Sequence, residues 1–307
     1  MRVKMKKYLQ LLLIIFGMTA ISGCLKPHGL RVMSLFLPDH QPDGQTISWN
    51  NLKSKTLSLI NESTPDLIGL QNISKSQINS LMLDIPQYTF AGDKRFSTTH
   101  SKPFNPVLYN ANQLDVIARS EFRLSDSIMN APSIVSWLKL RYLKTGHIFY
   151  LFNTSFSDSS TMASESLALL NHIRIIAGDA PVVVTSALQA QTAQAVSEKL
   201  SRNYSNAIPL KEINTSHKSS TTLESVISNH IFINSYFNAA RIKKDAAPRD
   251  GVLVCNLRPV IAELSFIERQ NKQPGDAGRL HEESKIRATL SHQWSQQQPS
   301  NPGDGAH

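Results

Sequence analysis

Between residues 30 and 268 the apolar residues follow two kinds of spacing, one typical of strands and one typical of helices. Continuous or alternating apolar runs predict strands, among them RVMSLFL, DLIGLQN, SIVSWLKLRY, HIFYLFN, PVVVTS and HIFIN. Apolar residues at helical spacing predict three amphipathic helices, whose buried stripes are Leu52, Thr56, Leu59 and Ile60; Ile78, Leu81, Met82 and Ile85; and Met162, Ser166, Leu169, Ile173 and Ile176. Because the helices fall between the strands, the order predicts an α/β protein with two packed sheets and helices on their outer faces.

The domain boundaries follow from composition. No Gly/Ser linker or internal repeat divides residues 30–268, so we expect one domain there. Residues 269–307 are rich in Gln, Pro and Gly and close with QQQPSNPGDGAH. Such a composition cannot build a core, so this tail is predicted to be disordered.

Residues 1–23 have the pattern of a secretory signal. Four basic residues open it: Arg2, Lys4, Lys6 and Lys7. The apolar run LQLLLIIFGMTAI follows and closes on Ser22-Gly23-Cys24. This run is shorter than the roughly 18 to 20 residues that a membrane-spanning helix needs. We therefore expect a cleaved signal peptide rather than a permanent transmembrane anchor.

The segment Ile21-Ser22-Gly23-Cys24 resembles the lipobox of bacterial lipoproteins, which implies cleavage before Cys24 and attachment of acyl chains such as palmitate to it. Each buried methylene contributes about 0.8 kcal/mol, so two or three chains suffice to hold a protein on a membrane. Residues 24–29 then form a short tether. Leu25 stands where an Asp marks inner-membrane retention in many Gram-negative bacteria, so the resemblance implies the outer membrane, facing the periplasm.

The net charge bears on the class of partner, and the cysteine count bears on disulfide bonds. The net charge is +9, but four of the 32 Lys and Arg residues lie in the signal, which leaves 28 basic against 23 acidic residues. This excess is modest and forms no basic stripe, so nucleic acid is not favoured as a partner. Besides Cys24 the chain has only Cys255, in the apolar run GVLVCNL. We expect Cys255 to be a core residue and predict no disulfide.

Several stretches resemble, in order, the scaffold motifs of the endonuclease/exonuclease/phosphatase superfamily. They are RVMSLFL, PDLIGLQNISKSQINSLMLDIPQY, FNPVLYN, FRLSDS, IVSW, FYLFNTSFSD, PVVVTSALQA, NHIFIN and RDGVLVCNLRP. The resemblance implies a four-layer α/β/β/α sandwich, in which two mixed sheets are flanked by helices. It also implies the family's chemistry, hydrolysis of phosphoesters with a divalent metal, usually Mg²⁺, held by oxygen ligands.

Seven positions where the family carries out this chemistry hold other residues here. Phe36 stands where the family has a ligand Asn, and Asn72 stands where it has the metal-binding Glu. Ser155 replaces a His that contacts the phosphate, Ala187 replaces the Asp that orients the attacking water, and Gln189 replaces the Asn that helps to hold the transition state. Asn229 replaces an Asp that orients the family's final His, and Gly251 replaces that His. Three further site positions are Asn153, His230 and Asp250. Phe36 has no lone pair, Asn72 lacks the charge of a carboxylate, and Ala187 cannot accept a proton.

We therefore expect no intact catalytic set, no metal and no other cofactor, and a pseudoenzyme with a binding or scaffold role. Its partners would be the membrane, through Cys24, and an unidentified protein or lipid. The alternative is a residual metal-dependent phosphodiesterase, nuclease or phospholipase-like hydrolase that uses Mg²⁺ with Asn72, Asn153 and Asp250.

Overall fold

The computed structural model of the chain describes residues 29–40, 44–92, 104–124, 133–156, 162–189, 196, 198–200, 203–207, 227–244, 257 and 259–268. These residues form two six-stranded mixed sheets. In spatial order, sheet 1 contains β11 (Phe237–Lys244), β12 (Val260–Phe266), β1 (Leu30–Phe36), β2 (Leu67–Gln71), β4 (Val107–Asn110) and β3 (Tyr88–Ala91). Sheet 2 contains β5 (Leu114–Arg123), β6 (Ile134–Tyr142), β7 (Ile148–Ser155), β8 (Val182–Gln189), β10 (Ile227–Ile233) and β9 (Ser205–Asn206).

Each sheet has one parallel pair at its centre. In sheet 1, β1 is parallel to β2, with Phe36 opposite Gln71. In sheet 2, β7 is parallel to β8, with Ser155 opposite Ala187. The other neighbouring strands are antiparallel. The carboxyl ends of these four central strands therefore set the place where a site can form.

Local signals set the ends of three helices. Helix α1 (Trp49–Ser63) begins after Ser48, whose side chain accepts a hydrogen bond from the Asn51 backbone, and ends at Thr64 in a left-handed conformation. Helix α2 (Lys75–Met82) begins with a capping box of Ser74 and Gln77. Helix α3 (Met162–Ala177) ends before Gly178, whose φ of 58° suits glycine.

The predicted helical stripes agree closely with the buried faces. All four stripe residues of α1 are its buried residues. In α2, Ile78 and Leu81 are buried, whereas Ile85 is buried beyond the helix end. In α3, Glu165 and Ala177 complete the buried face, and Ile176 is only partly buried.

Three apolar layers hold the fold together. Residues such as Leu30, Leu138 and Ile231 form the core between the sheets. Side chains of α1 and α2 pack on the outer face of sheet 1, and those of α3 pack on the outer face of sheet 2. The four-layer α/β/β/α sandwich is therefore confirmed.

The two sheets approach each other closely at Gly69 on β2. A Cβ atom there would lie 2.1 Å from Thr185 Oγ1 and 2.6 Å from Asn153 Oδ1. Glycine at this position allows side chains of sheet 2 to reach the backbone of sheet 1.

Some sequence predictions lie outside the described residues. These are the signal peptide, Cys24, the tail, Cys255, Asp250 and Gly251. Three strands, β9, β11 and β12, were not predicted from the apolar pattern. No helix within the described ranges is long and apolar enough to cross a membrane.

Candidate functional site

Five of the predicted site positions gather at one end of the sandwich, which we call the site end. Phe36, Ser155 and Ala187 lie at or near the carboxyl ends of β1, β7 and β8. Asn72 directly follows β2, and Asn229, near the start of β10, is opposite Ala187. The site end therefore brings together strand ends that are far apart in the sequence.

Two hydrogen bonds from β1 join the sheets near this end. The backbone N–H of Phe36 donates to Asn229 Oδ1 at 2.8 Å. The Ser34 hydroxyl donates to the backbone oxygen of Ser186 at 3.4 Å. Asn229 is 5% exposed, so its amide oxygen satisfies a backbone donor in the protein interior.

Asn153 is the centre of a buried polar network just below the site end. Its Oδ1 accepts hydrogen bonds from Gln71 Nε2 at 2.7 Å and from Thr185 Oγ1 at 2.9 Å. Its Nδ2 donates to the backbone oxygens of Leu70, Pro106 and Asn105, at 2.7, 2.9 and 3.1 Å. The side chain is fully buried. Both ends of this amide are thus engaged within the protein, and its oxygen already accepts two donors.

Asn72 stands where the resemblance places a metal-binding carboxylate. Its φ is 60°, and Asn tolerates this left-handed conformation better than most residues. Its Nδ2 donates to Leu37 O at 2.7 Å and to Asp39 Oδ2 at 3.2 Å. Asp39 is exposed and was missed in the sequence, where nothing but its position after β1 marks it.

Asn105 holds two of these positions in place, and it too was missed. Its Oδ1 accepts hydrogen bonds from Ser155 Oγ and from the backbone N–H of Asn72, both at 3.3 Å. Its Nδ2 donates to Ile134 O at 3.0 Å. Its location in FNPVLYN, one of the quoted scaffold stretches, is the signal that could have drawn attention to it.

Two buried carboxylates lie near this region, but on opposite faces of sheet 2. Glu121 accepts a hydrogen bond from Ser136 Oγ at 3.0 Å, and Ser136 is opposite Asn153 on the face toward sheet 1. Glu165, on α3, accepts from Ser133 Oγ at 2.9 Å. Since α3 covers the outer face, Glu165 and Glu121 do not form a carboxylate pair at the site end.

His230 points away from the site end residues. Neighbouring strand residues point to opposite faces, so His230 lies on the α3 side while Asn229 faces sheet 1. It is fully buried, its Nε2 lies 2.8 Å from Ser228 Oγ, and its ring stacks on Phe232. Burial lowers the pKa of His230 to about 4, so the imidazole is neutral near pH 7.

The end of β8 contributes no acid or base. Ala187 is 1% exposed and has no polar side-chain atom. The Ser186 hydroxyl is buried and has no hydrogen-bond partner among the described residues. Of Gln189, only the backbone is described, at the end of β8.

The described residues at the site end do not fit a divalent metal. The described residues contain no group of three or more His, Cys, Asp or Glu side chains that could hold an ion. Asp39 lies beside Asn72, whose amide N–H group points at the Asp39 carboxylate. Mg²⁺ prefers an octahedron of oxygen ligands, and this pair offers one carboxylate beside an amide that turns its N–H group toward it.

Comparison with solved structures identifies the fold. An endonuclease/exonuclease/phosphatase protein from Bacteroides vulgatus is 19% identical, with a TM-score of 0.64, and the match covers 78% of this chain and 99% of that one. A mannosyl-6-phosphatase from Bacteroides thetaiotaomicron is 17% identical, with a TM-score of 0.60 and coverages of 77% and 100%. The catalytic domain of human Nocturnin, with a bound sulfate, is 15% identical, with a TM-score of 0.61 and coverages of 78% and 95%.

The chain has the fold of the endonuclease/exonuclease/phosphatase superfamily. This confirms the resemblance in the sequence at the level of the fold. No protein-family model matches the sequence, and no curated protein matches it.

Proposed function

We propose that this chain is a lipid-anchored envelope protein whose endonuclease/exonuclease/phosphatase-type domain is a pseudoenzyme with a binding or scaffold role. One observation carries the proposal: polar side chains at the site end serve internal hydrogen bonds. Asn229 accepts from a backbone N–H, and Asn153 is engaged at both ends of its amide. Phe36 and Ala187 offer no ligand atom.

The fold of the superfamily is kept, whereas residues of another chemical type occupy the positions of its catalytic side chains. This contrast supports the binding or scaffold role. Phosphoester hydrolysis in this fold class needs a held cation and a positioned base for the attacking water. The described residues contain no group of three or more His, Cys, Asp or Glu side chains that could hold such a cation. His230 would be an obvious base, but it is buried on the other face of sheet 2.

The anchor is proposed on the sequence alone. The basic start, the short apolar run and Ile21-Ser22-Gly23-Cys24 support acylation at Cys24. Leu25 supports the outer membrane, facing the periplasm. The membrane is then one partner, and a protein or lipid that recognises the folded domain is the other.

Stepwise restoration tests the pseudoenzyme. The fully restored variant carries Phe36→Asn, Asn72→Glu, Ser155→His, Ala187→Asp, Gln189→Asn, Asn229→Asp and Gly251→His. Hydrolysis of a chromogenic phosphodiester with Mg²⁺ is measured for the wild type, for Asn72→Glu alone and for the full set. We expect no turnover above background from the wild type or the single variant. Turnover by the wild type that needs Mg²⁺ would refute the proposal.

A residual hydrolase is the second candidate, because Asp39 places one carboxylate beside Asn72. In this reading a divalent metal and a phosphoester substrate bind at the site end, as the phosphatase among the similar structures suggests. Asp39→Asn and Asn72→Ala should then each abolish metal-dependent turnover. The matched control is Asp115→Asn, since Asp115 is also exposed but lies at the start of β5.

A further inference from the structure

The chain enters the folded domain at the end opposite the site end. The backbone N–H of Gly29 donates to Glu263 Oε1 at 3.0 Å, and Leu30 is paired with Leu264 on β12. Strand β1 then runs from Leu30 to Phe36, a rise of roughly 20 Å at about 3.3 Å per residue. The entry point is therefore fixed by sheet pairing, one strand length away from the site end.

The turn between β6 and β7 lies at this same entry end. Asp66 accepts a hydrogen bond from the backbone N–H of Arg31 at 2.8 Å, and the charge of Lys144 in the turn also acts on the Asp66 carboxyl. The ring of Tyr142, at the end of β6, stacks at 6.3 Å on Phe266, which ends β12. These contacts place the turn beside the start of β1.

Two exposed side chains of this hairpin are apolar. Leu143 is 49% exposed and Ile148 is 40% exposed. Lys144 between them is exposed and cationic. The ring of His147 stacks on the ring of Phe266, with 4.3 Å between the ring centroids, so an aromatic contact holds the turn against β12. Two exposed apolar side chains with a cation between them suit the boundary between lipid headgroups and acyl chains.

The short tether, residues 24–29, limits how far the entry end can lie from the membrane. Five residue steps separate Cys24 from Gly29, so the chain between them spans at most about 18 Å when fully extended. If Cys24 carries the acyl chains, the entry end must lie within that distance of the bilayer. Leu143 and Ile148 are then exposed apolar side chains at the end that faces the lipid.

We infer that the anchored domain stands on the lipid surface through the β6–β7 turn, with Leu143 and Ile148 in the interface and the site end pointing away from the membrane. This inference rests on the proposed lipid anchor. It deepens that proposal, because it leaves the site end open to a partner from the periplasm rather than to the membrane that holds the protein.

Depth-dependent quenching tests this orientation in the full acylated chain. The protein carries Cys255→Ser and a single new cysteine, labelled with a polarity-sensitive fluorophore, and is reconstituted in vesicles of phosphatidylethanolamine and phosphatidylglycerol with spin-labelled lipid. The probe site is Leu143→Cys. Leu167→Cys is the matched control, since Leu167 is 54% exposed on α3, and Asp39→Cys reports the site end.

We expect the label at position 143 to lose emission when spin-labelled lipid is present, and the labels at 167 and 39 to keep it. Equal quenching at all three positions, or stronger quenching at 39, would overturn the orientation while leaving the anchor intact. A chain that fails to float with the vesicles would overturn the lipid anchor, and the orientation with it. Flotation and quenching thus separate the two failures.

Discussion

The side-chain oxygen of Asn229 lies 2.8 Å from the backbone nitrogen of Phe36 and joins the two sheets of the sandwich at the site end. Both residues occupy positions where the superfamily resemblance places catalytic side chains. Here Phe36 has an apolar ring, and the Asn229 side chain accepts a hydrogen bond from the Phe36 backbone, so in this structure the two residues form a hydrogen bond between the sheets.

This relationship predicts a stability effect for Asn229→Ala. The variant leaves the partly buried N–H of Phe36 without this acceptor, which costs about 1 kcal/mol of unfolding free energy. Chemical denaturation of both proteins measures the difference. The control is Asn238→Ala, because Asn238 is exposed on β11 and should change stability by less than about 0.5 kcal/mol. Equal effects for the two variants would show that the cross-sheet bond does not stabilise the fold.

Two neighbours on β8 should respond in opposite ways. Ser186→Ala removes a buried hydroxyl that has no hydrogen-bond partner among the described residues, so the variant should be as stable as the wild type or more stable, by up to about 1 kcal/mol. Thr185→Val removes the donor to Asn153 Oδ1 and should lower stability by about 1 kcal/mol. Urea unfolding midpoints compare the pair. A clear loss of stability in Ser186→Ala would mean that its hydroxyl has a partner.

His230 makes stability depend on pH. Burial lowers its pKa from 6.5 to about 4, so between these values the unfolded chain binds a proton that the folded chain does not. The contribution of His230 to folding therefore falls as pH drops below 6.5 and levels off below 4, by at most about 3 kcal/mol in all. The measurement is unfolding free energy from pH 7 to pH 4 for the wild type and His230→Gln. The variant should show the shallower dependence, and identical slopes would contradict the burial of a neutral imidazole.

The sequence allowed the fold to be predicted where period and local chemistry agreed. Helix α1 has both a stripe at helical spacing and the N-cap Ser48, so its face and its start were predictable. Strand β11 was missed because FNAARIKK combines Asn, Ala and Lys, which are depleted in strands, at the edge of sheet 1. Its place is set by pairing with β12, which the local pattern does not contain.

The sequence indicated which positions belong to the site, but it did not indicate which side chains contact each other there. The resemblance indicated which strand ends to inspect, and the structure brings Phe36, Asn72, Ser155, Ala187 and Asn229 to one end. The hydrogen bond of Gln71 to Asn153 joins residues 82 positions apart, and no local signal encodes it. The stretch FNPVLYN could have drawn attention to Asn105, but its hydrogen bonds were not predictable, because they depend on the approach of the two sheets.

Calorimetric titration of Mg²⁺ and Mn²⁺ into the chain from Leu25 onward tests the central claim most directly, because it examines the metal without requiring a substrate. Asn72→Ala serves as the matched variant. We predict no saturable heat at millimolar metal for either protein. Saturable binding of one ion per chain that Asn72→Ala abolishes would contradict the pseudoenzyme and establish a metal centre at the site end.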